Sequence, residues 1–219
     1  MSKILDCWFK YYPIFLKGAV GTLKYAAIAV FFGSLVGTLI AILHLSKFKP
    51  FQWIAKIYTT VLRGTPLLIQ MYMAYFFIPS VLPMLELPKE ACVVLALVLN
   101  SSAYVSEIIR GGIQSVDKGQ TEAARSLGMS ANHCMTKIIL PQALKAILPS
   151  LAGEYIAMIK ETSLAGSFML YELMYTRVLL ANKFLMWEPL FIISGMYLVM
   201  TLVLTSLVSV IEKRFAESD

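Results

Sequence analysis

Charged and chemically reactive side chains are scarce in this sequence. Of 219 residues only 15% are Asp, Glu, Lys or Arg and 58% are apolar, with a mean hydropathy of +0.73. A soluble domain carries about 25% charged residues, so the composition excludes that class and indicates an integral membrane protein. Histidine occurs only at His44 and His133, and cysteine only at Cys7, Cys92 and Cys134. Neither set has metal-ligand or CxxC spacing, so no metal site is expected and the cysteines are read as structural. No GxxxxGK[ST] phosphate loop and no Ser-His-Asp constellation occurs. The chain is therefore expected neither to hydrolyse ATP nor to be an enzyme. The net charge of +6 forms no clustered basic face, which argues against nucleic acid as a partner and leaves Lys and Arg for loops facing anionic lipid. Asp6, Lys10 and Lys17 interrupt the first apolar stretch, so no cleavable signal peptide is expected.

What is abundant is uncharged sequence in runs far longer than strands need, so helices are expected to do the spanning. The runs predict an all-α membrane domain over 1–219, with about five spans at roughly 21–44, 61–85, 91–110, 141–168 and 189–211. No internal repeat is visible. Residues 1–20 mix Trp8, Phe9, Tyr11, Tyr12 and Phe15 with Lys3, Lys10 and Lys17, the composition of an interfacial segment. Residues 44–56, with Lys47, Lys49, Pro50 and Lys56, read as a basic loop, and 169–188 as a mixed outer loop. Gly33, Ser34 and Gly37 offer small positions for close helix packing.

The most polar stretch is 115–140. Asp117 is a candidate N-cap with Gln120 three residues on, close to a capping box. A short helix over 118–127 follows, and Gly128 suits the left-handed position that ends it. Ser130 can cap a second helix running to Pro141. Ala123 and Ala124 are small enough for a partner to approach the backbone. A helix this short is not stable alone and needs tertiary or partner contacts.

Glu122-Ala123-Ala124, then Gly128, Ile138 and Leu140-Pro141 fill every position of an EAA-x3-G-x9-I-x-LP pattern. This resembles the cytoplasmic loop of permease subunits in ATP-binding-cassette importers. Arg63-Gly64-Thr65-Pro66-Leu67-Leu68-Ile69-Gln70, the stretch from Asn100 to Gly112, and Lys160-Glu161-Thr162-Ser163-Leu164 resemble the branch that imports polar amino acids. The last has Glu161 where that branch usually has Asp. The resemblance implies the type I importer permease fold, with 118–128 as a coupling helix in which Glu122, Ala123, Ala124 and Gly128 engage a separate ATPase. It implies cytoplasmic ATP-binding subunits holding the ATP and magnesium, a second permease subunit (identical or related), an extracytoplasmic solute-binding protein and an amino-acid solute, and a bacterial cytoplasmic membrane as location. With five spans and a cytoplasmic coupling loop, the N-terminus lies outside and the C-terminus inside. Lys3, Lys10, Lys17 and Lys24 then stand on the outer side, against the usual charge bias.

Ionisable side chains inside a bilayer are the informative ones, each costing about 2.5–3.5 kcal/mol at the centre. If the fourth span enters near Lys145, a rise of 1.5 Å per residue puts Glu154 about 13 Å in, near the midplane of a core roughly 30 Å thick. Lys160 lies about 9 Å further. A carboxylate and an ammonium at different depths match a zwitterionic solute. The competing reading is an internal ion pair, but six residues apart the two face about 120° from alignment on a helix. Pro149 and Gly153 are expected to loosen this helix, as midplane transport sites often do. Asn100, Tyr104 and Gln70 are polar side chains for which hydrogen bonding between helices is the first reading and solute contact the second. Glu107 and Arg110 read as a structural ion pair. Arg63 reads as a helix start, open between lipid, partner and gate contacts.

Overall fold

The computed structural model describes residues 2–181, 184 and 187–216. The helices are α1 (Ser2–Leu45), α2 (Lys49–Gly64), α3 (Leu67–Val81), α4 (Lys89–Gln114), α5 (Lys118–Ser126), α6 (Ala131–Cys134), α7 (Leu140–Glu161), α8 (Thr176–Leu180) and α9 (Trp187–Ala216). By length and composition, α1, α4 and α9 can each cross a membrane, and α2 with α3 supply a fourth crossing if the bent pair is one span. Of the five expected spans, α7 is the one not in that set; it carries Lys145, Glu154 and Lys160.

Glycines set the central packing. Gly33 on α1 meets Ser101 on α4, and Gly37 meets Ser102 and Val105, so the two helices run parallel and close. Gly112 meets Ile147 on α7 while Ser101 meets Glu154, so α4 and α7 run antiparallel. Ala26, Ala29, Met71, Cys92, Val93, Leu97, Met158 and Ile159 form the buried centre where α1, α3, α4 and α7 meet.

Residues 1–20, expected as a separate interfacial segment, are instead the first half of α1 as far as they are described. Cys7 and Phe15 on that half are fully buried against Leu173, Leu180, Ile192 and Ile193. Gly18 and Gly21 bring its backbone against residues 171–176, and Thr22 Oγ1 accepts from Leu173 N at 3.0 Å. The segment after α7 is correspondingly ordered. Its Glu172 is fully buried and accepts from Met174 N at 2.7 Å and Tyr197 Oη at 2.9 Å. Aromatic and basic composition alone could not show that this helix has a protein partner along its length.

The expected span 61–85 also differs. A 105° bend at Thr65-Pro66 separates α2 from α3, and the expected basic loop is largely helix α2. A residue before proline is pushed out of the helical region, and Thr65 is extended at φ −118°, ψ 146°. Pro66 is extended too at ψ 132° and leads directly into α3. Arg63 consequently sits in the last turn of α2 rather than at a helix start. By contrast α7 runs unbroken through Pro149 and Gly153, so the break lies in another helix than the one the sequence nominated.

Helix α6 does not stop at Pro141. It passes through a π-turn over Met135–Ile139 into α7, closed by a bond from Leu140 N to Met135 O. Proline cannot bond the carbonyl four residues back and its ring crowds it. The wider π-turn relieves that conflict without ending the helix.

Candidate functional site

Thr65 and Pro66 at the bend, Leu67 opening α3, Asn100 and Tyr104 on α4, and Glu154, Ala157, Met158 and Glu161 on α7 enclose a cavity of about 310 Å³. Six of the lining residues lie within motifs singled out in the sequence: Thr65 to Leu67, Asn100, Tyr104 and Glu161. Glu154 is partly buried, and its Oε1 accepts from Ser101 Oγ at 2.9 Å. No cation pairs with either cavity carboxylate among the described residues. Lys160 is exposed and does not line the cavity; Glu161 does. The offset of the two α7 positions, about 120° by helical geometry, is borne out in that one faces the cavity and the other does not.

Gln70 and Asn100 hold the bend. Gln70 Nε2 donates to Leu62 O at 2.7 Å, Thr65 O at 3.1 Å and Thr65 Oγ1 at 2.9 Å. Asn100 Nδ2 donates to Gln70 Oε1 at 3.1 Å and Leu62 O at 3.3 Å. The last carbonyls of a helix have no intrahelical donor, so these two amides supply what the end of α2 lacks. Asn100 still lines the cavity, whereas Gln70 stands behind the bend. Tyr104 lines the cavity and carries the Arg63 guanidinium 5.2 Å from its ring centroid.

A second polar layer lies between α1, α2 and α4. Glu107 accepts from Arg110 Nη2 at 2.6 Å, and Arg63 Nη1 and His44 Nδ1 each stand 3.6 Å from it. The ion pair of Glu107 with Arg110 is thus one contact in a wider cluster. Arg63 joins the two layers, touching Tyr104 above and Glu107 below.

The predicted coupling loop is built as its residues dictate. Asp117 Oδ1 accepts from Gly119 N at 2.6 Å, one residue earlier than a capping box would place it. Gly128 has φ +81°. Met129 N bonds Ala124 O at 3.1 Å and Gly128 N bonds Arg125 O at 3.0 Å, the paired bonds of a Schellman ending. Ser130 Oγ accepts from His133 N at 3.3 Å. Ala124 is 5% exposed, packed in a small cluster with Cys134 and Ile139, while Glu122, Ala123 and Gly128 are exposed. The small size of Ala124 therefore serves this chain's own packing, because its face of α5 turns inward. Leu127, 85% exposed beside Gly128, is an apolar side chain presented outward that the motif did not nominate.

The family model described as the binding-protein-dependent transport system inner membrane component matches residues 29–217. The chain belongs to this permease family. It is 38% identical over 210 residues to the arginine transport system permease protein ArtQ of Bacillus subtilis, covering 94% of each chain. It is 37% identical to a putative glutamine transport system permease protein GlnP of Rickettsia felis, covering 94% of this chain and 95% of that one. A crystal structure of an amino acid ABC transporter with histidines aligns with a TM-score of 0.88 at 42% identity, covering 94% of this chain and 96% of its own. The chain is thus an inner-membrane permease component with the type I fold. The cavity thus lies between the bent pair α2–α3 and the carboxylates of α7, and α5 stands capped and largely exposed between α4 and α7.

Proposed function

We propose that this chain forms the translocation path of an ATP-driven amino-acid importer. The observation that carries the reading is the cavity with Glu154 and Glu161 on α7 and the start of α3 at Leu67. The N–H groups of Leu67 and Leu68 precede the first backbone bond of α3, from Ile69 to Pro66 O at 3.0 Å. Such orphan donors, with the positive end of the helix dipole, favour a carboxylate. The two glutamates favour ammonium or guanidinium groups. Two carboxylates in one cavity fit a solute with two cationic groups, so a basic amino acid is the best match. The solute carboxylate is then assigned to α3 rather than to Lys160. Asn100 and Tyr104 complete the walls, and Gln70 acts from behind by fixing the bend.

Energy enters through α5. Cytoplasmic ATP-binding subunits carry ATP and magnesium and engage Glu122, Ala123, Leu127 and Gly128, and their closure drives alternating access. A second permease subunit completes the membrane domain, and an extracytoplasmic binding protein delivers the solute. The N-terminus lies outside and the C-terminus in the cytoplasm.

Glu154→Gln keeps shape and removes charge. A hydrogen bond to a charged group contributes about 1.5–3 kcal/mol, so the arginine concentration for half-maximal stimulation of ATP hydrolysis in the assembled complex should rise about tenfold or more, with melting temperature retained. Unchanged arginine dependence removes Glu154 from the solute site. A drop in melting temperature with selectivity retained makes it a structural residue.

A further inference from the structure

We propose that the inner cavity between α1, α2 and α4 is a binding site for the headgroup phosphate of an anionic glycerophospholipid. The cavity is about 420 Å³ and is lined by His44, Lys56, Arg63, Glu107 and Arg110, with Thr59 and Thr60. Lys56, Arg63 and Arg110 face a single carboxylate, Glu107, so the lining carries excess positive charge. Glu107 is already engaged by Arg110 and approached by Arg63 and His44. Lys56 makes no ion pair with any described residue. His44 Nδ1 is buried without a hydrogen-bond partner. An anion is the ligand that such a lining lacks.

The depth and the neighbouring surface choose an amphiphile over a soluble anion. The uncharged run of α1 ends at His44, that of α4 at Glu107, and that of the bent pair at Arg63. The cavity thus sits where three apolar runs stop together, at headgroup level. Because α2 is bent 105° from α3, the two cannot both follow the membrane normal. On α2, Trp53, Ile57 and Val61 recur at four-residue spacing and are 65%, 56% and 53% exposed. That stripe runs beside the stripe of Lys56, Thr60 and Arg63, as 3.6 residues per turn requires. An apolar stripe next to a cationic one describes a helix lying in a membrane interface: acyl chains cover Trp53, Ile57 and Val61, and the phosphate enters the cavity. Placement in the inner leaflet rests on the cytoplasmic reading of α5, which the following test does not use.

Trp53 is the reporter. With Trp8→Phe and Trp187→Phe, and with the tryptophans of the partner subunits replaced by Phe, the assembled complex is placed in nanodiscs of phosphatidylcholine containing brominated phosphatidylglycerol or, in parallel, brominated phosphatidylcholine. The expected result is stronger quenching of Trp53 by the anionic lipid at equal mole fraction. Lys56→Gln should weaken that preference about fivefold, the worth of one basic residue at an anionic surface, and Lys56→Arg should restore it. Equal quenching by both lipids, or a preference indifferent to Lys56→Gln, overturns the site. Loss of the preference on adding inorganic phosphate assigns the cavity to a soluble anion and overturns the lipid. Absence of quenching by either lipid means that Trp53 is covered by protein, which overturns it as well. None of these readings requires transport, so failure here leaves the importer assignment untouched, and failure of transport leaves this site to be judged by its own fluorescence.

Discussion

Gln70 is a residue whose work can be stated atom by atom. Its amide nitrogen serves the carbonyls of Leu62 and Thr65 and the Thr65 hydroxyl, and its oxygen accepts from Asn100. Removing it leaves Leu62 O with Asn100 as its one side-chain donor and takes both bonds from the exposed Thr65, each lost bond costing about 0.5–1.5 kcal/mol. Gln70→Ala should therefore lower the melting temperature of the purified complex and weaken solute-stimulated hydrolysis together, because the bend also forms one wall of the cavity. An unchanged melting temperature would show that water replaces the amide without loss. From the sequence, Gln70 and Asn100 are legible as polar groups out of place in apolar runs, with helix links the first reading and solute contact the second. Neighbours that come from distant positions were not. Ser101 has no sequence signal as the partner of Glu154, being one small residue among several on α4. That the lysine of Lys160-Glu161 faces away from the cavity and the glutamate toward it follows from helix phase, which only a known axis and neighbours can fix.

At the scale of elements, helix α5 and its caps are legible almost in full, since caps and left-handed turns are written in local residue types. Asp117, Gly128 and Ser130 do what their chemistry allows. The bend was not, although Thr65-Pro66 was in plain view. Several prolines sit in or beside these helices, and what distinguishes Pro66 is that amides at Gln70 and Asn100 meet carbonyls at its break. Pro149 breaks nothing in α7, and Pro141 is absorbed by a π-turn. Helix α1 reads in the sequence as segment plus span because its first half packs on residues distant in sequence. Gly128→Val tests the coupling element. A β-branched residue at φ +81° costs at least the 1–2 kcal/mol of the left-handed region and redirects Leu127 and Met129. Nothing lies within 4 Å of an added Cβ, so the effect is backbone strain rather than collision. Coupled ATP hydrolysis in proteoliposomes should fall while the subunit still inserts. Full coupled hydrolysis would mean that the aim of α5 does not matter to the partner.

For the whole molecule, the pieces form one line: the cavity at the α2–α3 bend, Arg63 and Tyr104 beside it, the Glu107 cluster where three apolar runs stop, and α5 beyond. α4 passes through the first three and leads into the fourth, and α7 returns from α5 to the cavity carboxylates. On the proposed reading, a pull on α5 reaches the cavity through α4 and α7. The most direct measurement is uptake of labelled arginine into proteoliposomes holding the permease with its ATP-binding subunits and solute-binding protein. The account predicts accumulation that requires ATP at the cytoplasmic side and is competed by lysine more strongly than by an uncharged amino acid. Accumulation that proceeds without ATP under an imposed ion gradient, or ATP-driven uptake of a sugar with no uptake of any amino acid, would contradict it.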